Sequence, residues 1–236
     1  MIKRIAILAV LLCGSLQLWA QDVEKNSDSK TEIQKPSRDF VMLQFTYSSW
    51  ANKPDSVKLG GFGHGFNGYV CYDFPIAKSN FSFAAGIGIS TNSVYFKNQV
   101  NVTNDSGTAA TVRFVDTNGY KRDKLVTTYL QAPFELRFFG NKVNRNKGFK
   151  MAIGMQVGTL MGAHNKYVYT IPGTSSKITE KLNTRRFMNT WQFQANARIG
   201  WGNFALYGFY NLTSLYKENN GPQVLPFGLG ICVTGL

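Results

Sequence analysis

Past its first twenty residues the sequence lacks any long apolar run, and it holds only two histidines, three cysteines and half as many acidic as basic residues. Each scarcity excludes something. The most apolar later stretch, Phe81 to Ile89, is broken by Ser82, Gly86 and Gly88, far short of the roughly 20 residues a membrane-spanning helix needs. The chain beyond the leader is therefore a soluble exported protein, or a β-barrel whose hydrophobicity is hidden by alternation. His64 and His164 have no flanking cluster of acids or cysteines, and a metal centre needs several convergent ligands. The expectation is no catalytic residue, no metal and no cofactor. Gly63 to Gly68 satisfies G-x-G-x-x-G, but it runs into a predicted strand instead of opening a helix, so the nucleotide-binding context is missing.

The leader has the three parts of a secretory signal. Lys3 and Arg4 are the basic region, Ile5 to Leu12 the apolar region, and Leu18-Trp19-Ala20 precedes the cleavage point. Cys13 lies inside the apolar region after Leu12, where a lipoprotein signal wants a small residue. Residues 1–20 are thus read as a signal peptide, 21–38 as a polar, disordered periplasmic tail, and 39–236 as one β-domain. Export leaves Cys71 and Cys232, which are expected to be free thiols on strands too far apart for a disulfide. The formal charge of +13 would suit nucleic acid in another compartment. An exported protein meets anionic lipid, lipopolysaccharide or an acidic protein instead.

Strict alternation is what the domain does have. From Trp191 to Trp201, Trp191, Phe193, Ala195, Ala197, Ile199 and Trp201 share one face, and Gln192, Gln194, Asn196, Arg198 and Gly200 share the other. A helix cannot produce this period of two. The ten residue steps, at roughly 3.3 Å and tilted by about 40°, rise about 25 Å, which matches the apolar band of an outer-membrane barrel with an aromatic ring at each interface. Trp191 and Trp201 are the expected aromatic belt. Leu130 to Phe138 and Lys150 to Val157 alternate in the same way.

Eight strands are predicted, at about 40–50, 67–76, 81–91, 127–139, 149–163, 186–200, 203–213 and 223–234. Short and long connections alternate between them, as in closed up-and-down transmembrane barrels with both termini in the periplasm. If the apolar faces meet lipid, Gln44, Thr46, Asp73, Gln131, Glu135, Arg137, Lys150, Gln156, Gln192, Gln194, Asn196 and Arg198 point into the lumen. Asp73, Glu135, Arg137, Lys150 and Arg198 then share its periplasmic end, and a side-chain plug is expected, because eight strands leave a lumen that side chains can fill. The long outer loops are expected to carry Lys97, Arg113, Lys121, Arg122, Lys124, Lys166, Lys177, Lys181, Arg185 and Arg186. They form a basic rim for lipopolysaccharide phosphates or a protein partner.

The tract YLQAPFELRFF from Tyr129, the strand SFAAGIGIS at Ser82 to Ser90 and the close PFGLGICVTGL together resemble the PorT-like outer-membrane β-barrel family of the Bacteroidota, over roughly residues 39 to 236. The resemblance implies an outer-membrane barrel, with named members taking part in protein secretion. The chain departs from barrels at large in ending Thr234-Gly235-Leu236 rather than on an aromatic residue. Three functions stay open: a non-enzymatic scaffold, surface-binding or secretion-associated barrel; a narrow porin-like channel for small solutes; and a soluble lipocalin-like barrel with an apolar ligand, its faces reversed.

Overall fold

The chain closes on itself through strands alone in a computed structural model that describes residues 40–77, 79–104, 111–117, 120–141, 148–170 and 174–235. The predicted signal peptide and tail lie outside the described residues. The strands are β1 (Val41–Ala51), β2 (Leu59–Pro75), β3 (Phe81–Phe96), β4 (Gln99–Asn104), β5 (Thr111–Asp116), β6 (Tyr120–Phe139), β7 (Phe149–Thr170), β8 (Lys177–Asn183), β9 (Trp191–Trp201), β10 (Phe204–Asn211) and β11 (Leu225–Thr234). Eight of them form a closed antiparallel barrel in the order β1-β2-β3-β6-β7-β9-β10-β11, and β11 returns to pair with β1. Closure removes the open sheet edges that hydrocarbon does not tolerate.

The other three strands lie outside the ring. β4 and β5 pair only with each other, as a hairpin between β3 and β6. β8 extends β7: one edge of β7 pairs with β9 from Phe149 to Thr159, then with β8 from His164 to Thr170. A 3-10 turn, Arg185–Phe187, separates β8 from β9. The barrel therefore has a short-turn end, with the turns after β2, β6 and β9, and an extended end, where β6, β7 and β8 continue as a ribbon.

Several expectations need correction here. The stretch 92–126, read as one loop, contains the end of β3, the β4–β5 hairpin and the start of β6. The strand expected from 186 begins at Trp191, because Arg185–Phe187 takes the 3-10 turn. His64 and His164, which fall in the predicted connections before residue 67 and after residue 163, lie within β2 and β7, and the glycines from Gly63 to Gly68 are interior to β2. The basic residues Lys121, Arg122, Lys124, Lys166, Lys177 and Lys181 are likewise on strands, and Arg113 is on β5.

The faces are sorted as lipid demands. Trp201, Leu206, Ile153, Trp191, Phe45, Ile87 and Leu229 are more than half exposed on the outside, while Gln44, Asn67, Gln131, Gln156, Gln194 and Arg198 are buried inside. Water would not accept so much contiguous apolar surface on a monomer. A lipocalin-like carrier has the opposite sorting, so that reading is withdrawn. β10, apolar on both faces in sequence, directs Ala205, Tyr207, Phe209 and Asn211 inward and Phe204, Leu206 and Tyr210 outward. Pro133 is an inward residue of β6, and the β3–β6 ladder skips from Phe134 to Gln131 beside it, as expected of a residue without an N–H.

Inward glycines let the wall bend. At Gly230 a Cβ would overlap the Phe45 carbonyl oxygen and press on Thr46 Cα at 2.6 Å across the β1–β11 seam. Gly230→Val is expected to cost about 3 kcal/mol or more, through overpacking against backbone that cannot yield. The check is the fraction of protein running in the fast, unboiled form on a gel, which should fall sharply.

Candidate functional site in the lumen

Three layers fill the lumen. At the short-turn end, β2 supplies Asp73, β6 supplies Glu135 and Arg137, β7 supplies Lys150, β9 supplies Arg198 and β11 supplies Thr234. Arg137 donates through Nη1 to Asp73 Oδ1 at 2.7 Å and through Nε to Glu135 Oε2 at 2.8 Å. Arg198 reaches the same Glu135 oxygen from across β7, at 3.2 Å from Nη2 and 3.3 Å from Nε. That reach is possible because the β7 residues between the two strands are Ala152, beside Arg137 and Arg198, and Gly154, beside Glu135 and Asn196. Lys150 Nζ donates to Thr234 Oγ1. All six side chains are buried.

The middle layer is neutral and hydrogen-bonded. Tyr69 donates to Gln131 Oε1 at 2.5 Å, and Gln131 Nε2 donates to Gln192 Oε1 at 2.7 Å and Gln194 Oε1 at 3.2 Å. Gln156 and Gln194 donate to the Tyr207 hydroxyl at 3.3 and 3.4 Å. A second chain runs from Asn67 Nδ2 to Gln44 Oε1 at 3.0 Å and from Ser90 Oγ to Asn67 Oδ1 at 2.7 Å. Within the layer these long polar side chains pair with one another, while the neighbouring Asn196 amide is buried without a hydrogen-bond partner among the described residues. Cys71 and Cys232 are both buried, and neither is in a disulfide.

The extended end is apolar, the feature least visible in the sequence. Trp50, Phe96, Leu125, Leu160, Met188, Leu215 and Tyr216 form one buried cluster, joined by Val112 and Phe114 of β5. Trp50 meets Phe96, Phe114 and Tyr216 edge-on, with ring centres 5.6, 6.4 and 6.2 Å apart. Hydrogen bonds seat the β4–β5 hairpin. Asn101 N–H donates to Asp123 Oδ2 at 3.1 Å, the Tyr167 hydroxyl donates to Asn101 O, and Val112 N–H donates to Asn220 O at 2.8 Å. Gln99 donates to Ser56 O at 2.6 Å and to Asp116 Oδ1 at 2.8 Å. Lys58 bonds Asp116 at 2.6 Å, and it and Gln99 hold that carboxyl below its usual range. Between this cluster and the polar layer is a cavity of about 20 Å³ bordered by Ser48, Trp50, Asn92, Thr127 and Gln192, room for about one water.

Of the residues singled out in the sequence, the structure brings together Asp73, Glu135, Arg137 and Arg198 in one ion-pair network, and sets Lys150 on Thr234 beside it. Gln131, Gln192 and Gln194 are one layer removed. Trp191 and Trp201 stand at opposite ends of β9, facing out. Lys124 is on the outer face of β6, Arg185 and Arg186 are in the 3-10 turn, and the side chains of Lys121 and Arg122 lie outside the described residues. Sequence reading missed Tyr69, Tyr207, Asn101 and Asp123. The hairpin had a signal, since QVNVTN and TVRFVD each alternate with β-branched residues around a glycine-containing break.

No curated protein matches the sequence. Residues 23–217 match the family described as the outer membrane protein beta-barrel domain, a match that stops short of β11, the strand that closes the ring on β1. With eight strands closed around a polar lumen and an apolar exterior, the chain belongs to the outer membrane protein β-barrel domain family.

Proposed function

We propose that this barrel is non-enzymatic and non-conducting, and that it works through its surfaces as a scaffold, surface-binding or secretion-associated protein, the last being what the resemblance to PorT-like barrels implies. One observation carries the reading: ion pairs, then glutamines and tyrosines, then an apolar cluster under the β4–β5 hairpin occupy the lumen from end to end. A solute path needs a continuous wet route, and the apolar cluster of Trp50, Phe96, Leu125 and Leu160 interrupts one. In this reading the short-turn end, with both barrel termini, faces the periplasm, and the extended end faces outward, in keeping with the loop asymmetry of such barrels.

The test is electrical. Purified protein added to planar lipid bilayers is expected to insert without long-lived conductance steps. Large, reproducible steps from the unaltered protein would establish the channel reading in its place.

A further inference from the structure

Beyond the apolar belt, register places three lysines side by side. Lys124 of β6 pairs with Lys166 of β7, and Lys166 pairs with Lys181 of β8. Directly opposed residues share a face, and this face points outward, because the alternating neighbours Asp123, Asn165 and Tyr167 are buried inside. Like charges set directly opposite one another destabilise a sheet. Among the described residues no carboxylate lies within ion-pair distance of any of the three. Glu180, the acid of β8, is on the other face, where the Tyr169 hydroxyl donates to it at 2.8 Å.

Two neighbours shape the row. Tyr95 of β3 pairs with Lys124, whose ammonium lies 5.6 Å from the ring centre. His164, one row nearer the belt between Val126 and Asn183, is held below the usual histidine range by burial, and then by Lys181, Lys124 and Lys166. Positive potential from all three lysines thus converges on one half-covered spot.

Height selects the occupant. On β7 the outward apolar ladder ends at Met161, five residues before Lys166, a rise of about 12 Å along a tilted strand. Lysine stems lie down along apolar surface and carry their ammonium groups to the interface. The row therefore stands at head-group level, where phosphate is the abundant anion and lysine binds it as a point charge. We propose that Lys124, Lys166 and Lys181, flanked by Tyr95 and His164, bind the phosphate of an outer-leaflet glycolipid of the lipid A type. The outer-leaflet assignment rests on the orientation proposed above; the phosphate site does not.

The test uses the purified protein in detergent micelles, titrated with lipid A, with dephosphorylated lipid A and with inorganic phosphate. Lipid A is expected to bind tightly and to weaken as salt is raised, while the dephosphorylated lipid binds at least tenfold more weakly. The triple variant Lys124→Gln, Lys166→Gln, Lys181→Gln should lose at least tenfold in affinity for lipid A. It should keep its heat-modifiable gel shift, since removing mutually repelling charges leaves the barrel intact. Unchanged affinity in the triple variant, or equal binding of the dephosphorylated lipid, overturns the site. Inorganic phosphate binding as tightly as lipid A overturns the lipid as its source. Orientation is read separately by a membrane-impermeant maleimide on intact cells carrying Thr179→Cys. Labelling supports an outward row. Its absence overturns the outer-leaflet assignment, while binding in micelles still decides the phosphate site.

Discussion

Replacing Glu135 with alanine is expected to destabilise the barrel by about 3–5 kcal/mol, the scale on which a buried ion pair fails when one partner is removed. Glu135 accepts from Arg137 at 2.8 Å and from Arg198 at 3.2 Å, and all three side chains are at most 2% exposed. Without it, the described ion-pair network keeps Asp73 as the carboxylate facing Arg137, with Arg198 and Lys150 beside them. Loss of attraction is the smaller part of the effect. The larger part is that the two guanidiniums remain in a region that has already stripped them of water. Glu135→Gln keeps an acceptor oxygen and should cost less. The pair Glu135→Ala with Arg198→Ala should cost less than the sum of its parts, because removing the second charge removes some of the penalty created by the first. Urea unfolding in micelles, followed by the gel shift, measures the parent, the two Glu135 variants, Arg198→Ala and the double variant. A change below about 1 kcal/mol in Glu135→Ala would mean that lumen water already solvates the arginines, and the plug would then be wet.

How much of this was legible depends on where the membrane is. Within the belt, lipid on one side and a polar lumen on the other force a period of two, so Trp191 to Trp201 and Leu130 to Phe138 declare their faces, and the inward set from Gln44 to Arg198 could be read directly. Above the belt the outer face carries charge while the inner face packs on the apolar cluster around Trp50, so the sorting that holds within the belt no longer reports which side is which. The upper parts of β6 and β7, and all of β8, therefore read as loop, and their lysines as the basic rim of the outer loops. Glycine hid the early part of β2 for another reason. Gly63 and Gly65 stand where inward side chains would be, with Cβ positions that would crowd Ser93 O at 3.3 Å and Thr46 Oγ1 at 2.5 Å, so tight packing reads in sequence as an absence of pattern. The ion network was visible as residue types but not as partners. Arg198 meets Glu135 only because Ala152 and Gly154 leave β7 low between them, and that depends on register.

The mouth should loosen as pH rises from about 4 to 7, and Asp123 is the reason. Its carboxyl is buried on the inner face of β6, beyond the apolar belt, and it receives the Asn101 N–H of the β4–β5 hairpin at 3.1 Å. Burial pushes its pKa up to about 7 from 3.8, against the lowering effect of the Asn101 and Lys124 backbone amides. Among the described residues, its titratable neighbours are the buried phenols of Tyr216 and Tyr167. An acid whose folded pKa is raised holds its proton more firmly folded than unfolded. Stability is therefore full below about pH 4, falls as pH rises through the window, and has lost the whole contribution above about 7. Three pKa units correspond to about 4 kcal/mol at most. Asp123→Asn, which keeps an acceptor for Asn101 and cannot ionise, should raise stability at pH 8 by about 2–4 kcal/mol relative to the parent protein and leave it nearly unchanged at pH 4. His164 contributes with the opposite sign, because its folded pKa is depressed, and subtracting the variant's curve from the parent's cancels it together with every other group. Hydrogen exchange at the amides of β4 and β5 locates the effect: faster exchange at pH 8 than at pH 5, beyond the intrinsic increase, in the parent but not in the variant. Parallel curves for the two proteins would show that water reaches Asp123, and that the hairpin closes the mouth by its apolar contacts with Trp50 and Phe96 alone.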